Sequence, residues 1–317
     1  PATESVVLTV RPLIAGNTIT GTSEYCQNAT ATALSSGTLT GGTGSYTYQW
    51  QQSANNTTWG SAAGTNTLAS YTPSTATAGT IYYRRIVTSG ECSSISASFA
   101  VTVTPSITAN SIAGTQNYCQ GAEATALGGA VSGGTESYTY QWQRSSTETG
   151  TFSNIPSATA ASYTPSTATA GTVYYRRLVS SGECENNISN VVGVTVTPAI
   201  TANTVSGTTT YCQGATATAL GGTVTGGVTS KTYQWQQSPN GTNQWVNAAG
   251  ASTQISYTPS TATVGTIHYR RVVTSGNCSS TSNVVAVTVN SPIAGNQISG
   301  TQTVCSGEAV APLGQAS

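Results

Sequence analysis

Short runs in which apolar and polar residues alternate with a period of two recur along the whole chain, separated by Gly, Pro, Asn and Ser. Between residues 105 and 197 they read in order as ITANSIAGTQNYC, ATALGGAVSGG, SYTYQWQRS, a short piece around Phe152 to Ile155, ASYTP, GTVYYRRLVSSG and ISNVVGVTV. Alternation places successive side chains on opposite faces of a strand. Seven or eight such strands at spacings of about 8 to 12 residues are the pattern of an antiparallel β-sandwich. No segment carries the 3.6-residue period of an amphipathic helix, so the expected class is all-β.

The pattern is itself repeated. TPSTATAGTIYYRR at residues 72–85 returns as TPSTATAGTVYYRR at 164–177 and TPSTATVGTIHYRR at 258–271, at steps of 92 and 94 residues. A fixed period makes the repeat the unit of folding. Three complete units are expected, at 12–104, 105–197 and 198–290. Residues 1–11, PATESVVLTVR, match the FAVTVT and VGVTVT runs that close the later units, and so read as the last strand of a preceding repeat. Residues 291–317 read as the start of a fourth, and the chain as a stretch of a longer polypeptide. Junctions of only a few residues imply stiff coupling between neighbours.

Composition changes the picture chiefly by what it removes. Of 317 residues 18 are charged, with net charge zero, no Asp, one Lys (Lys231) and one His (His268). Nothing in this balance draws the chain to nucleic acid. No run of 18 apolar residues exists to insert into a membrane. Without Asp there can be neither an acidic calcium loop nor a Ser-His-Asp triad. His268 stands where the other units have Tyr and reads as packing or surface. Gly-rich pieces such as GGTGS lead into strands and lack a following Lys or helix, so they are hairpin turns rather than phosphate cradles. No catalytic residue, metal or cofactor is expected.

The aromatic residues supply the cores. Trp50, Trp142 and Trp235 each stand in a YQW triplet and are expected to point inward, with the flanking Gln residues in water. Tyr83, Tyr175 and Tyr269 lie in the long strand after the repeated turn, where sandwiches often keep a Tyr whose hydroxyl bonds back to that turn. The neighbouring Tyr82, Tyr174 and His268 are expected at the surface. In each following Arg pair the two side chains must take opposite faces. One of them is expected at the rim of the interior, stacked on Trp or Tyr. Trp59 and Trp245 are the candidates for exposed, surface-binding aromatics.

Seven cysteines, Cys26, Cys92, Cys119, Cys184, Cys212, Cys278 and Cys305, fall at gaps of 66, 27, 65, 28, 66 and 27, two per unit and one over. None has C-x-x-C spacing, and one His cannot complete a Cys/His cluster. Structural disulfides in an exported protein are the favoured reading.

The ordered set IAGTQNYCQG, TYQWQ, YTPSTATAGTVYYRRLVSSGEC, SNVVGVTV and TQTVCSG resembles the tandem immunoglobulin-like and PKD-like repeats of giant Bacteroidetes cell-surface proteins exported by type IX secretion. Such proteins include gliding adhesins and subunits of hook-like or filamentous appendages. The resemblance implies a tandem array of immunoglobulin-like sandwiches outside the cell, attached to its surface or forming an appendage, and it implies adhesion or scaffolding rather than catalysis.

If the strand order is immunoglobulin-like, the two cysteines of a unit lie at opposite ends, roughly 50 Å apart at about 3.3 Å per residue. A disulfide tolerates about 7 Å between Cα atoms. The preferred pairing then crosses units, Cys26 with Cys184 and Cys119 with Cys278, leaving Cys92, Cys212 and Cys305 for further units or partner chains. The alternative keeps pairs within units: Cys26–Cys92, Cys119–Cys184 and Cys212–Cys278. The leading function is a structural stalk or filament segment, whose partners are its adjacent repeats and other copies of the chain in a bundle. A glycan- or surface-binding adhesin module using Trp59 and Trp245, with cell-surface glycans as partners, and an accessory region of a secreted enzyme are the alternatives.

Overall fold

The alternating runs form strands, and among the described residues the strands form three main sheets of one design and two small two-stranded sheets. The structure, a computed structural model, describes residues 6–295, 298 and 300–312. The parts of the expected terminal segments that fall on residues 1–5, 296, 297, 299 and 313–317 lie outside the described residues. The chain divides into two compact units: Pro1–Gln116 with Thr125–Pro165 and Val173–Val194, and Asn117–Ala124 with Ser166–Thr172 and Thr195–Ser317.

In the first repeat the strands are β1 (Glu24–Cys26), β2 (Thr47–Ser53), β3 (Gly60–Ser61), β4 (Gly79–Ser89), β5 (Cys92–Ile95) and β6 (Phe99–Thr104). They make one sheet in the order β1-β6-β4-β2-β3, with β5 also on β4. The edge pair β1 and β6 is parallel and the other pairs are antiparallel. The isolated bridge Ala15↔Thr40 stands where later repeats build a second, smaller layer, and the bridges Thr20↔Ser35 and Leu34↔Tyr71 recur as isolated bridges in both of them.

The second repeat has β7 (Ile107–Asn110), β8 (Asn117–Cys119), β9 (Val131–Gly133), β10 (Thr139–Ser145), β11 (Ser153–Asn154), β12 (Gly171–Ser181), β13 (Cys184–Ile188) and β14 (Val192–Thr197). The third has β15 (Ile200–Asn203), β16 (Thr210–Cys212), β17 (Val224–Gly226), β18 (Thr232–Ser238), β19 (Val246–Asn247), β20 (Gly265–Ser275), β21 (Cys278–Thr281) and β22 (Val285–Asn290). Their main sheets keep the first repeat's order, β11-β10-β12-β14-β8 and β16-β22-β20-β18-β19, and the pairs β7-β9 and β15-β17 form the small layer.

The long first strand expected of each repeat is broken. In the third repeat β15 pairs with β17, whereas β16 runs parallel to β22 in the main sheet. The chain changes layer between them at Gly207, whose φ of +154° and close approach to Leu220 leave no room for a Cβ. Only glycine takes that conformation without strain.

Each core is built on the Trp of the YQW triplet. Trp50, Trp142 and Trp235 are fully buried, and each indole N–H donates to a backbone carbonyl, of Leu68, Ala160 and Gln254, at 2.9 to 3.0 Å. Trp50 packs on Tyr71 and Tyr71 on Tyr83, with centroids 5.6 and 5.2 Å apart. The same stack recurs through Trp142, Tyr163 and Tyr175 and through Trp235, Tyr257 and Tyr269. Tyr83, Tyr175 and Tyr269 are thus core residues held by their rings, and no hydroxyl bond to the preceding turn is found for them. Tyr71, the middle ring, is the one whose hydroxyl donates, to Ala63 O at 3.0 Å. Burial pushes the phenols of Tyr83 and Tyr269 up to about 12.

Two surface expectations are also corrected. Tyr82, Tyr174 and His268 are half-buried, and so are Gln49 and Gln51 beside Trp50. The inward Arg is not at the rim: Arg85, Arg177 and Arg271 are 1 %, 1 % and 0 % exposed.

Candidate functional site

A fully buried guanidinium must find partners for its donors or forfeit its hydration. With no Asp in the chain, each repeat supplies carbonyl oxygens instead. Arg177 donates through Nε and Nη2 to Asn110 Oδ1 at 3.1 and 3.0 Å, through Nη1 to Ala161 O, and through Nη2 to Ser111 O and Gly129 O. Arg85 uses Asn17 and Ala69, and Arg271 uses Asn203 and Ile255, in the same geometry. The Asn amide completes the lock by donating to the Arg carbonyl and to the hairpin strand beyond it, Ser94, Asn187 or Ser280. Each guanidinium also faces two rings, for Arg85 Tyr48 at 5.3 Å and Trp50 at 5.6 Å. Desolvation lowers the three guanidinium pKa values, and the neighbouring phenols oppose the shift. This arrangement fixes a strand and offers no group for acid or base chemistry.

The partner Arg on the outer face does something different. Arg84, Arg176 and Arg270 lie 4.3, 4.3 and 4.1 Å from the ring centres of Trp59, Phe152 and Trp245, and each donates from Nε to a Gln, Gln51, Gln143 or Gln236. Trp59 and Trp245 are half-buried, with one ring face taken by Arg.

The remaining constellation is covalent. Cys26 is bonded to Cys184 and Cys119 to Cys278, with Cα atoms 4.7 and 4.9 Å apart. Both bridges join the first cysteine of one repeat to the second cysteine of the next, and each lies inside one of the two compact units. The within-repeat pairs Cys26–Cys92, Cys119–Cys184 and Cys212–Cys278 do not form. Cys26 ends β1 beside Thr104, near the start of β4, and Cys92 pairs with Ser89 at its other end. Eleven residues of β4 separate the two levels by about 33 Å at ~3.3 Å each, shorter than the sequence estimate and still far beyond disulfide reach. Cys92 is half-buried and Cys212 and Cys305 are exposed, all three as free thiols.

Polar contacts seat each bridge. Gln27, next to Cys26, donates its backbone N–H to Thr104 O at 2.8 Å and its side-chain amide to Ala76 O in the repeated turn. Its Oε1 accepts from the N–H and hydroxyl of Ser106 in the linker. Gln120 repeats this with Thr197, Ala168 and Ala199. Cys184 Sγ lies 3.3 Å from Pro105 O, and Cys278 Sγ 3.2 Å from Pro198 O. Gly182 and Gly276, with φ near +55°, bring the cysteine turn against the side chains of Thr104 and Thr197, where a Cβ would meet an atom at 3.0 to 3.1 Å. Around the first bridge Ile107 and Val179 are buried with Cys184, and Cys26, Val131, Tyr138 and Tyr140 pack against them.

Sequence reasoning missed the Asn of the arginine lock and the Gln of the junction. Both carried a signal: Asn17, Asn110 and Asn203 precede the buried Arg by 68, 67 and 68 residues, and Gln27, Gln120 and Gln213 each follow a first cysteine.

Solved structures with this architecture include the titin I-band fragment I67–I69, at TM-score 0.51 and 10 % identity over 90 % of this chain and 100 % of that one. Its E-to-A variant gives 0.51 at 11 % identity over the same shares. Three N-terminal domains of the bacteriophage RB49 Hoc capsid protein match at 14 % identity over 89 % of this chain and 99 % of that one, at a TM-score of 0.41. The two titin likenesses show the immunoglobulin-type fold. Comparison with the curated proteins gives no match. Residues 15–105, 108–198 and 201–291 each match the profile of DUF8696, a domain of unknown function, and the chain therefore belongs to that family, in three tandem copies.

Proposed function

We propose that the chain is a load-bearing stalk segment of a large secreted cell-surface protein, giving reach and stiffness to an adhesive or filamentous appendage. The observation that carries this reading is that both disulfides join successive repeats rather than closing one. A bridge within a domain stabilises that domain; a bridge between domains transmits load. Disulfides also favour an oxidising compartment outside the cell. With 18 charged residues in 317 and net charge zero, little repulsion opposes side-by-side packing of copies, which fits a bundle of identical chains. The resemblance to giant Bacteroidetes surface proteins of the type IX secretion route supplies the same setting.

The two bridges interlace, so their mechanical effect is specific. Force entering at Cys26 crosses to Cys184, passes back along the chain to Cys119 and crosses to Cys278. Of the 252 residues between Cys26 and Cys278, only the 65 from Cys119 to Cys184 then limit the extension. Pulling the oxidised chain by its termini should release at most ~230 Å between these cysteines, and the reduced chain ~880 Å, at ~3.5 Å per residue. Equal lengths in the two states would remove the mechanical reading.

A further inference from the structure

The segment at residues 6–11, which pairs with no strand among the described residues, and the thiol of Cys92 are two halves of one unexplained feature. In sequence Leu8 and Val10 correspond to Val101 and Val103 of β6, to Val194 and Val196, and to Val287 and Val289. Those six valines are 1 to 4 % exposed, whereas Leu8 and Val10 are 86 % and 83 % exposed. An alternating apolar segment has no reason to stay in water when the same pattern forms a buried strand three times elsewhere. Cys92 is equally out of step. Its counterparts Cys184 and Cys278 are bonded and buried, while Cys92 is a half-buried free thiol in the same S-G-(E/N)-C turn, with Gly90 in the same left-handed conformation at φ +59°.

The two features belong together because of register. In every repeat the strand bearing the first cysteine runs parallel to the last strand and sets that cysteine beside its final residue: Cys26 by Thr104, Cys119 by Thr197, Cys212 by Asn290. The second cysteine of the following repeat reaches the same place, its Sγ against the carbonyls of Thr104 and Pro105 or of Thr197 and Pro198. The matching residues ahead of Cys92 are Arg11 and Pro12. A first-cysteine strand docked in parallel along residues 9–11 would end beside Arg11 and meet Cys92.

We propose that residues 6–11 are the donated last strand of a further sandwich of this family, lying upstream in the same polypeptide, and that its first cysteine bonds Cys92. All three repeats already hold their own last strand, β6, β14 and β22, so a second copy of these sandwiches has no vacant place for it. Pro12 leads directly into the first repeat as Pro105 and Pro198 lead into the second and third, which makes the donor arrangement continuous with the chain. The cysteine that bonds Cys92 should be followed by Gln, whose side chain would accept from the linker N–H at Leu13 as Gln27 does from Ser106 and Gln120 from Ala199.

The test is non-reducing peptide mapping of the native full-length protein after alkylation of free thiols. The expected result is Cys92 in a cross-linked peptide with an upstream cysteine in a Cys-Gln sequence. Recovery of Cys92 as an alkylated thiol, or bonded to Cys92, Cys212 or Cys305 of another copy, would overturn the proposal. In the full-length double variant Leu8→Asp, Val10→Asp, thiol labelling at Cys92 should rise about tenfold over the parent. Cys184 and Cys278 should stay protected in the same sample, which reports that the remaining repeats are folded. Unchanged protection of Cys92 in that variant also counts against it. Neither readout involves force, so failure here and failure of the load-bearing reading are separate outcomes.

Discussion

The interior of each sandwich and the junction at its end obey different rules. Around Arg85, Arg177 and Arg271 the three copies are nearly superimposable in chemistry: Nη1 meets a carbonyl at 2.6 to 2.7 Å and Nη2 meets an Asn at 3.0 to 3.1 Å in every one. At the junction the same four-residue turn gives a buried bridge at Cys184 and Cys278 and a half-buried thiol at Cys92. The linker backbone differs too. Gly134 and Gly227 donate to Ser106 and Ala199, whereas Gly42 donates to Pro12, one position earlier in register, and Leu13 is 85 % exposed. A sandwich interior is therefore specified by its own repeat, and a junction by two repeats together.

Breaking the junction should give the largest effect. Reduction of the bridges, or Cys26→Ser with Cys119→Ser, removes cross-links over 158 and 159 residues, each worth about 5 kcal/mol on the chain-entropy account. Urea denaturation followed by Trp fluorescence should show the loss in the midpoint. The interior comparison predicts that hydrogen-exchange protection around Trp50 and Trp142 survives at low denaturant. If reduction alone melted those strands, interior and junction would not be separable.

The interior is tested next by Arg177→Met, which leaves the carbonyls of Ala161 and Gly129 and the Asn110 amide oxygen buried without donors. The expected cost is about 3 kcal/mol, from groups that each cost ~1 to 3 kcal/mol when stranded. Arg177→Lys should recover little of it, since one ammonium cannot reproduce the planar fork. An equal cost for Arg85→Met and Arg271→Met would sharpen the claim that interiors are self-contained. A value near zero at any one of them would break it.

Titration of the buried phenols is a smaller probe of the same interior. Tyr83 and Tyr269 have folded pKa values raised from 10 to about 12, so the folded state holds the proton more tightly than the unfolded state. Their contribution is intact below pH 10 and is lost as pH rises from 10 to 12. Two pKa units correspond to no more than about 2.7 kcal/mol per residue. Stability measured across that range should fall, and Tyr83→Phe should flatten part of the slope.

How far these features were legible in the sequence follows the same division. Trp50 and its counterparts announced themselves because a large aromatic in a period-two run can face only one way. The cross-repeat bridges were the preferred reading because an immunoglobulin-like strand order would set the two cysteines of a repeat at opposite ends, and the within-repeat pairing stayed open until the strand order itself was known. The depth of Arg85 was not, since an Arg in a strand ordinarily carries its charge to water. What takes it inside is Asn17, 68 residues earlier, and a solitary Asn near a strand end looks like a turn residue. The tyrosine hydroxyl was misplaced by one ring of the stack, because only the fold decides which of the two packed phenols, Tyr71 or Tyr83, reaches a carbonyl.

The smallest expected effect concerns the arginine next door. Arg270 precedes the buried Arg271 in sequence, yet it lies on the other face with Trp245 beneath it and Gln236 beside it. Its stacking is partly exposed, where a cation over an aromatic ring contributes about 0.5 to 1 kcal/mol. Arg270→Ala should therefore cost several times less than Arg271→Met, although the residues are adjacent and chemically identical. The pair Arg270→Ala and Trp245→Ala, made singly and together, should show a coupling of that size. A coupling of zero would leave Trp245 free to serve an external ligand, and the covered ring face would have to be read as an uncommitted surface.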